Sequence, residues 1–246
     1  MAGEHKQEWI KAARKEIESL EGLDCWTEIP ISKATGPIIP GTWVFRVKRA
    51  PDGTFKKFKA RFCFRGDLQK GDFDTYAPVV QFSSVRLFLA LSLLLDWRTI
   101  SVDFSNAFVQ ASLKEPFFLH LPRGYRSSFK TKSCLKLHKS IYGLSVAPRL
   151  WFEHLWKALK SLGLKQSAHD PCLLFREDLI VICYVDDLGF QAPNQGVIDE
   201  VVAQLRNKGF ELTIEGTFTE YLGIQYNKIN ERIINISKIS ILFRNA

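Results

Sequence analysis

The chain has 246 residues, of which 46% are hydrophobic, 13% aromatic and 24% charged. That composition is typical of a globular protein, long enough for one large core or two small ones. No run of about 18 uninterrupted apolar residues occurs, which argues against a membrane span, and the polar N-terminus does not resemble a signal peptide. Five cysteines without a CxxC pair predict reduced thiols, with neither a disulfide framework nor a zinc site.

Positive charge is concentrated near one end of the chain. The net charge is +8, and Lys and Arg far outnumber Asp and Glu between residues 46 and 70. A basic segment that also carries aromatic residues suits a polyphosphate partner, because neutralising phosphates releases their counterions. A solvated basic hairpin without a partner is the alternative interpretation.

The first half of the chain predicts a helix, a loop and a hairpin. Residues 6–20 place their apolar side chains on one helical face. Residues 28–40 contain several Pro and Gly and predict a loop. Residues 42–50 and 55–65 predict a β-hairpin with basic residues on one face, joined by the turn Pro51-Asp52-Gly53. Residues 84–96 then predict a buried helix capped by Ser83 or Ser84.

The second half predicts strands and helices in a definite order. The elements are a strand over 97–103, a helix over 148–162 ended by Gly163, strands over 172–176 and 179–185, a turn at Asp186-Asp187, a strand over 188–191, a helix over 197–205 ended by Gly209, and a strand over 210–214. Reduced to its regular elements, this order matches the ferredoxin-like β-α-β-β-α-β unit, so the fold class is α+β. In that unit the first and third strands are neighbours, which predicts that Asp103 lies beside Asp186 and Asp187.

Three carboxylates at one place predict a metal site. Asp is also common in turns for purely structural reasons, although Asn-Gly or Asp-Gly suits a tight hairpin better than Asp-Asp. Adjacent carboxylates repel each other, and divalent cations relieve the repulsion. Oxygen-only ligands favour Mg²⁺, which also accepts phosphate oxygens. Such a site suits in-line phosphoryl transfer with two metal ions, in which the carboxylates are metal ligands.

Several motifs, in order along the chain, resemble one family. Tyr184-Val185-Asp186-Asp187 is similar to the YxDD box of reverse transcriptases. The surrounding segments resemble the Ty1/copia retrotransposon group: the lead-in from Trp9 to Leu20 with Trp26 and Pro30, WVFRVK from Trp43, KAR from Lys59 with Gly66, Gln69 and Gly71, YAPVV from Tyr76, VDFSNAF from Val102, EP at Glu115 with LPRGY from Leu121, KSIYGL from Lys139, APRLW from Ala147, and YLGI from Tyr221. The resemblance covers about residues 9–226 and identifies the chain as a member of this group.

The resemblance implies a domain plan. It divides the chain into an N-terminal helix and loop (1–40), a reverse transcriptase region (41–228) and the start of a C-terminal connection (229–246). Within the middle region, fingers (about 41–80 and 111–150) interleave with a palm (about 81–110 and 151–228). The thumb is expected to be missing or incomplete in this chain, and RNase H, integrase and other polyprotein segments are expected to be absent from it.

The resemblance also implies an activity and its ligands. The activity is RNA-directed DNA polymerase, a nucleotidyltransferase that uses two Mg²⁺ ions, with Mn²⁺ as an alternative. The partners are dNTPs and an RNA or DNA template with its primer, and no membrane.

Site residues follow where the motifs match. Asp103, Asp186 and Asp187 are the expected metal ligands, and the Phe104 carbonyl is a further one. The residues expected at the nucleotide are Lys59, Arg61 and Arg65 for the triphosphate, Phe108 as the gate against a ribose 2′-hydroxyl, Gly143 beneath the template and nucleotide, and Tyr184 near the primer end. Phe108, the three cations and Tyr184 also have structural alternatives, namely a core Phe, an exposed cation and a cross-strand aromatic.

Two departures from the family pattern bear on the activity. Ser145 and Val146 replace a Lys-Gln pair near the template, and residues 212–216 lack the lysine usual there. A catalytically silent relic that only binds nucleic acid is therefore an alternative function.

An RNA-recognition module with the same order of elements is disfavoured, because no RNP1-like run occurs and the acidic turn would repel a nucleic-acid backbone without metals.

Overall fold

A computed structural model describes residues 4–50, 53–218, 220–222, 224–230 and 233–238. Its helices are α1 (Lys6–Gly22), α2 (Phe82–Leu94), α3 (Ala147–Ser161) and α4 (Gln195–Asn207). Its strands are β1 (Trp26–Pro30), β2 (Ile38–Ile39), β3 (Gly41–Arg49), β4 (Phe55–Phe64), β5 (Arg98–Phe104), β6 (Phe118–His120), β7 (Ser133–Leu137), β8 (Lys165–Gln166), β9 (Leu173–Arg176), β10 (Leu179–Tyr184), β11 (Asp187–Ala192), β12 (Leu212–Thr217), β13 (Glu220–Tyr221), β14 (Ile224–Asn230) and β15 (Ile233–Lys238). Within these described ranges no helix is long and apolar enough to cross a membrane.

Some predicted features lie outside the described residues. Pro51 and Asp52 of the predicted hairpin turn are among them, as is Gly223 of the YLGI motif. Much of the predicted C-terminal connection over 229–246 also falls outside the described ranges. The chain divides into two compact units, Met1–Ala77 with Phe108–Trp151 and Pro78–Ala107 with Phe152–Ala246.

The first unit combines a small sheet, a hairpin and helix α1. The sheet has the order β1-β7-β6-β2, and β3 pairs with β4 in a separate antiparallel hairpin. Helix α1 packs against β4, where the Glu16 carboxylate accepts a hydrogen bond from the Phe62 N–H at 3.2 Å. The core of the unit is apolar and includes Cys25, Phe62, Phe64, Leu119, Leu135, Leu137 and Ile141.

Residues 28–40 differ from the predicted loop. They contain β1 and β2 with a short 3₁₀ turn, Ile31–Lys33, between them. Pro30 ends β1, where its missing N–H costs no ladder bond. The Glu28 carboxylate accepts hydrogen bonds from the Ser127 and Ser133 hydroxyls and from the N–H and hydroxyl of Ser128. Burial raises the pKa of Glu28, but these hydrogen bonds outweigh it and lower the pKa to about 2.

The second unit is built on a six-stranded sheet. Its order is β12-β5-β11-β10-β9-β8, and each neighbouring pair is antiparallel. Helix α4 begins after Asn194, whose side chain accepts a hydrogen bond from the Val197 N–H at 3.3 Å. Buried side chains of the sheet and the helices form the core, among them Phe88, Val102, Val181, Phe190, Ile198 and Val201. The strands β13, β14 and β15 form a separate sheet.

Helix α2 corrects two predictions. It begins after Gln81, not at Ser83 or Ser84, and the buried Asp170 carboxylate accepts a hydrogen bond from the Gln81 N–H at 2.8 Å. Its apolar run is buried on one side only, since Phe88 is fully buried whereas Leu94 is 79% exposed. A run of apolar residues that is not interrupted by polar residues at helical spacing does not reveal which side of the helix faces the core.

Candidate active site

The pairing of β5 with β11 brings two of the predicted carboxylates together. Asp103, near the end of β5, lies directly opposite Asp187, the first residue of β11. The Phe104 N–H donates to the Asp186 carbonyl at 3.1 Å, so Phe104 and Asp186 occupy a hydrogen-bonded position. The adjacent Asp103–Asp187 pair is therefore of the non-hydrogen-bonded kind, in which opposite side chains come closest.

The turn between β10 and β11 lies one residue earlier than predicted. Tyr184 pairs with Asp187, so the two turn residues are Val185 and Asp186, and Asp187 already belongs to the strand. Val185 has a φ of 55°. A positive φ at the first turn residue is typical of a type II′ turn, which normally carries glycine there. For a β-branched residue this conformation is strained.

Cross-strand partners share one face of a sheet, which defines the row of side chains around Asp103. Tyr184, Asp187, Asp103 and Thr213 follow one another across β10, β11, β5 and β12. Phe104 points to the other face, where its buried ring contacts Phe210 edge-on at 5.7 Å. Because the N–H of Phe104 faces β11, its carbonyl faces the same strand.

The donor chemistry of this row suits a hard cation. Asp103 and Asp187 offer carboxylate oxygens from directly paired backbone positions, and Asp186 lies in the adjoining turn, one residue before Asp187. Among the described residues, however, no three Asp, Glu, His or Cys side chains are grouped closely enough to hold a metal ion. Strand register thus brings two carboxylates together, and the complete ligand set stays a prediction.

A cavity of about 350 Å³ lies beside Asp187, lined also by Ser101, Glu215, Tyr221 and other residues of the second unit. The Tyr221 hydroxyl donates to the Asp187 carbonyl at 3.4 Å. Burial, together with the neighbouring Cys183 and Asp187, raises the pKa of Tyr221 above its ordinary value, so its hydroxyl keeps its proton. Glu215 and Tyr221 were not among the predicted site residues, since nothing in the sequence pairs them with Asp187.

The hairpin of the first unit carries the predicted basic face. Arg46 lies opposite Lys59 and Lys48 lies opposite Lys57, with the Val47–Phe58 pair between them, so like charges face each other at two places on the same face of the hairpin. Burial, followed by the nearby cations Arg61 and Lys48, lowers the pKa of Lys59. Such pairs destabilise an isolated hairpin and favour an anionic partner.

The opposite face of the hairpin is aromatic and is covered by α1. Trp9 of the helix contacts Phe58 at 4.5 Å and Phe45 at 5.3 Å between ring centroids, in both cases edge-on. Trp43 packs against Phe62 on the same face. The helix therefore fixes one side of the hairpin and leaves its cations on the other side.

Arg61 and Phe108 meet at one aromatic ring within the first unit. The Arg61 guanidinium carbon lies 4.2 Å from the centre of the Tyr142 ring, and its Nη2 donates to the Tyr142 hydroxyl at 3.2 Å. Phe108 contacts the same ring edge-on at 5.0 Å. Tyr142 was not named among the predicted site residues, where its motif was represented by the adjacent Gly143.

Gly143 occupies a position that only glycine fits. Its φ is 83°, and a Cβ there would collide with the Phe64 carbonyl oxygen. The Phe64 N–H donates to the Tyr142 carbonyl at 2.7 Å, and the Gly66 N–H donates to the Gly143 carbonyl at 3.1 Å. The KSIYGL motif is therefore fastened to the end of β4 by its backbone.

Arg65 is engaged by a neighbouring acid. Its Nε and Nη2 donate to the two carboxylate oxygens of Asp67 at 2.7 and 2.6 Å. This hydrogen-bonded pair raises the pKa of Arg65 and lowers that of Asp67. Both side chains are exposed, at 43% and 58%. Any anion that binds Arg65 has to compete with the Asp67 carboxylate.

Comparison with known proteins identifies the family. The reverse transcriptase (RNA-dependent DNA polymerase) family matches residues 24–244. The chain belongs to this family. It is 31% identical, over 89% of its length, to the retrovirus-related Pol polyprotein from transposon TNT 1-94 of Nicotiana tabacum, and 26% identical, over 91%, to that from transposon RE1 of Arabidopsis thaliana. It is also 29% identical, over 82%, to the transposon Ty1-ER2 Gag-Pol polyprotein of Saccharomyces cerevisiae.

These relatives place the reverse transcriptase domain in the copia type of retrotransposon. The matched part makes up 17%, 16% and 12% of the three polyproteins, so the chain spans about a sixth or less of their length. The predicted family membership is thereby confirmed.

Proposed function

We propose that this reverse transcriptase domain is an RNA-directed DNA polymerase that extends a primer with the help of two divalent metal ions. The observation that carries the proposal is the direct pairing of Asp103 with Asp187. Two carboxylates held side by side repel each other and so destabilise the sheet. A divalent cation bound between them would remove this repulsion, because carboxylate oxygens are its preferred ligands.

The first unit corresponds to the fingers in this proposal, and the second to the palm. Support comes from the unit boundaries near residues 77, 107 and 151. Further support comes from the strand order β12-β5-β11-β10, since a ferredoxin-like unit has its fourth, first, third and second strands in that order.

The metal ligands in the proposal are Asp103, Asp186 and Asp187, with the Phe104 carbonyl as a further oxygen. When bound, Mg²⁺ or Mn²⁺ supplies activation of the primer 3′-hydroxyl and stabilisation of charge on the leaving pyrophosphate. The residues of the chain hold the ions and orient the primer. Tyr184 lies in the same row as the carboxylates, which suits a contact near the primer end.

Residues of the first unit serve nucleotide binding in the proposal. Lys59 and Arg61 bind the triphosphate, and Phe108 excludes a 2′-hydroxyl. Arg65 contributes less than these two, because Asp67 already neutralises its charge. Gly143 holds its loop close to β4 beneath the template and nucleotide.

A second candidate function is nucleic-acid binding without polymerisation. The like-charged pairs Arg46–Lys59 and Lys48–Lys57 favour a polyanion whatever the state of the carboxylates. This function requires neither a metal nor a nucleotide, so metal dependence separates the two.

Primer extension on poly(rA)/oligo(dT) with dTTP tests the proposal directly. We expect incorporation with Mg²⁺ or Mn²⁺, its loss in Asp186→Asn, and little change in Glu177→Gln, which alters an exposed carboxylate in the turn between β9 and β10. Thermal melting shows whether each variant is folded. A folded wild-type chain that incorporates nothing with either metal, while still binding RNA in a salt-sensitive way, would favour the second function.

A further inference from the structure

Tyr142 contacts the two residues of the first unit to which the proposed function gives nucleotide roles. The Arg61 guanidinium lies over the Tyr142 ring and donates to its hydroxyl. The Phe108 ring contacts the same ring edge-on at 5.0 Å. A single aromatic side chain therefore links the expected triphosphate contact with the expected sugar gate.

The position of this ring is fixed by the backbone around it. The Tyr142 carbonyl accepts from the Phe64 N–H, the next carbonyl accepts from the Gly66 N–H, and the preceding Ile141 is completely buried. Since Arg61 belongs to the same strand as Phe64, the loop and the arginine are held to one element. The ring is thus a fixed support for the guanidinium.

The contact orders Arg61 without neutralising it. A cation over an aromatic face is attracted by the ring while keeping its full charge. Arg65 shows the contrast, because its charge is matched by Asp67 in an ion pair. The Nε of Arg61 is buried and has no hydrogen-bond partner within the part of the chain that the structure describes. An arginine ordered in this way loses less conformational freedom when an anion binds.

We propose that Tyr142 is a positioning residue that orients Arg61 toward the triphosphate and supports Phe108 against the sugar, so that triphosphate binding and sugar discrimination are coupled through its ring. The proposal rests on the proposed function. It assigns separate tasks to two parts of the side chain: the hydroxyl acts on Arg61 alone, and the ring acts on both neighbours.

Two variants separate these tasks. Tyr142→Phe keeps the ring and removes the hydroxyl, and we expect the KM for dTTP to rise about five- to tenfold with kcat nearly unchanged and sugar discrimination retained. Tyr142→Leu removes the ring as well as the hydroxyl, and we expect a larger rise in KM than in Tyr142→Phe, with at least a roughly tenfold loss of discrimination between dTTP and UTP. Phe108→Ala is the reference for loss of the gate. Equal discrimination in Tyr142→Leu and the wild type overturns the coupling.

A spectroscopic measurement tests the positioning apart from polymerisation. In protein labelled with ¹⁵N-arginine, the Nε–H resonance of Arg61 should be displaced by the Tyr142 ring in the wild type and in Tyr142→Phe. It should return toward an ordinary value in Tyr142→Leu, while the Arg65 resonance stays unchanged in all three. Addition of dTTP with Mg²⁺ should shift the Arg61 resonance of the wild type.

The two kinds of failure are distinguishable. Absence of incorporation by the wild type counts against the proposed function, whereas the Arg61 resonance reports the positioning in the same sample. An Arg61 resonance that is unaffected by removal of the Tyr142 ring, or by dTTP, overturns the inference even if the chain polymerises. Melting curves of both Tyr142 variants show that the fold is intact.

Discussion

Asp103 and Asp187 face each other across the β5–β11 pair although they are far apart in the sequence. Like charges directly opposite destabilise a sheet by about 0.2–1 kcal/mol. A second like-charged arrangement, the paired cations of the β3–β4 hairpin, occurs in the other unit. Ligands of the opposite sign would neutralise the charges of both arrangements. The carboxylate pair and the paired cations can each be tested for such a ligand.

Removal of one carboxylate should have opposite effects on stability and activity. In the presence of EDTA we expect Asp103→Asn to raise the free energy of unfolding by about 0.2–1 kcal/mol, because the repulsion from Asp187 is lost. Millimolar Mg²⁺ should stabilise the wild type and not the variant, and incorporation should fall at least about a hundredfold. Urea unfolding and primer extension are the measurements, with Glu177→Gln as control. Equal stabilisation of both proteins by Mg²⁺ would contradict a metal site at this pair.

The turn residue Val185 offers a test of backbone strain. We expect Val185→Gly to raise the free energy of unfolding by about 1 kcal/mol, because glycine adopts a φ of 55° without the steric cost of a β-branched side chain. Thermal or urea unfolding measures the effect. Destabilisation on this substitution would show that contacts of the Val185 side chain outweigh the strain.

Gly143 and Gly163 form a matched pair for close packing. Their φ values are 83° and 86°, but a Cβ on Gly143 meets the Phe64 carbonyl whereas a Cβ on Gly163 meets nothing within 4 Å. We expect Gly163→Ala to cost about 1–2 kcal/mol of stability, the cost of the left-handed conformation alone, and Gly143→Ala to cost at least about 2 kcal/mol more. Chemical denaturation of both variants decides. Similar losses would mean that the loop after Tyr142 can move away from β4.

Glu28 predicts a pH dependence of stability. Its pKa of about 2 lies below the ordinary value of 4.5, so its contribution is fully present above about pH 4.5 and is lost as the pH falls toward 2. We expect Glu28→Gln to destabilise the chain by about 1–3 kcal/mol at neutral pH, with the difference from the wild type shrinking below pH 4.5. Unfolding measured against pH, with the exposed Glu18→Gln as control, tests this. A difference that stays constant down to pH 2 would assign the loss to packing rather than charge.

The paired cations predict a salt-dependent interaction with nucleic acid. Replacing Lys48 and Lys57 by Ala should weaken RNA binding and reduce the slope of log K against log salt by about 0.7 for each lost phosphate contact on a single strand. Lys165→Ala is the control, since Lys165 is exposed on β8 of the other unit. Fluorescence anisotropy over a salt series provides the measurement. An unchanged slope would show that the basic face does not contact phosphates.

The sequence alone determined the local elements and the family. Periodicity indicated α1, α3 and α4, alternation indicated the basic hairpin, and the order of the motifs identified a copia-type reverse transcriptase. These features depend on neighbouring residues or on motif spacing, both of which can be read along the chain. Segment 28–40 and the start of α2 were mispredicted, because their structure depends on β7, β6 and Asp170, which lie far along the sequence.

Only the tertiary structure decided which side chains meet. It set the register that opposes Asp103 to Asp187, moved the turn to Val185–Asp186, and placed Tyr142 between Arg61 and Phe108. Register changes the face of every residue when a strand slips by one position, and nothing local encodes it. Contacts between residues far apart in the sequence depend on how the core packs. The candidate side chains could therefore be identified from the sequence, but their partners only from the fold.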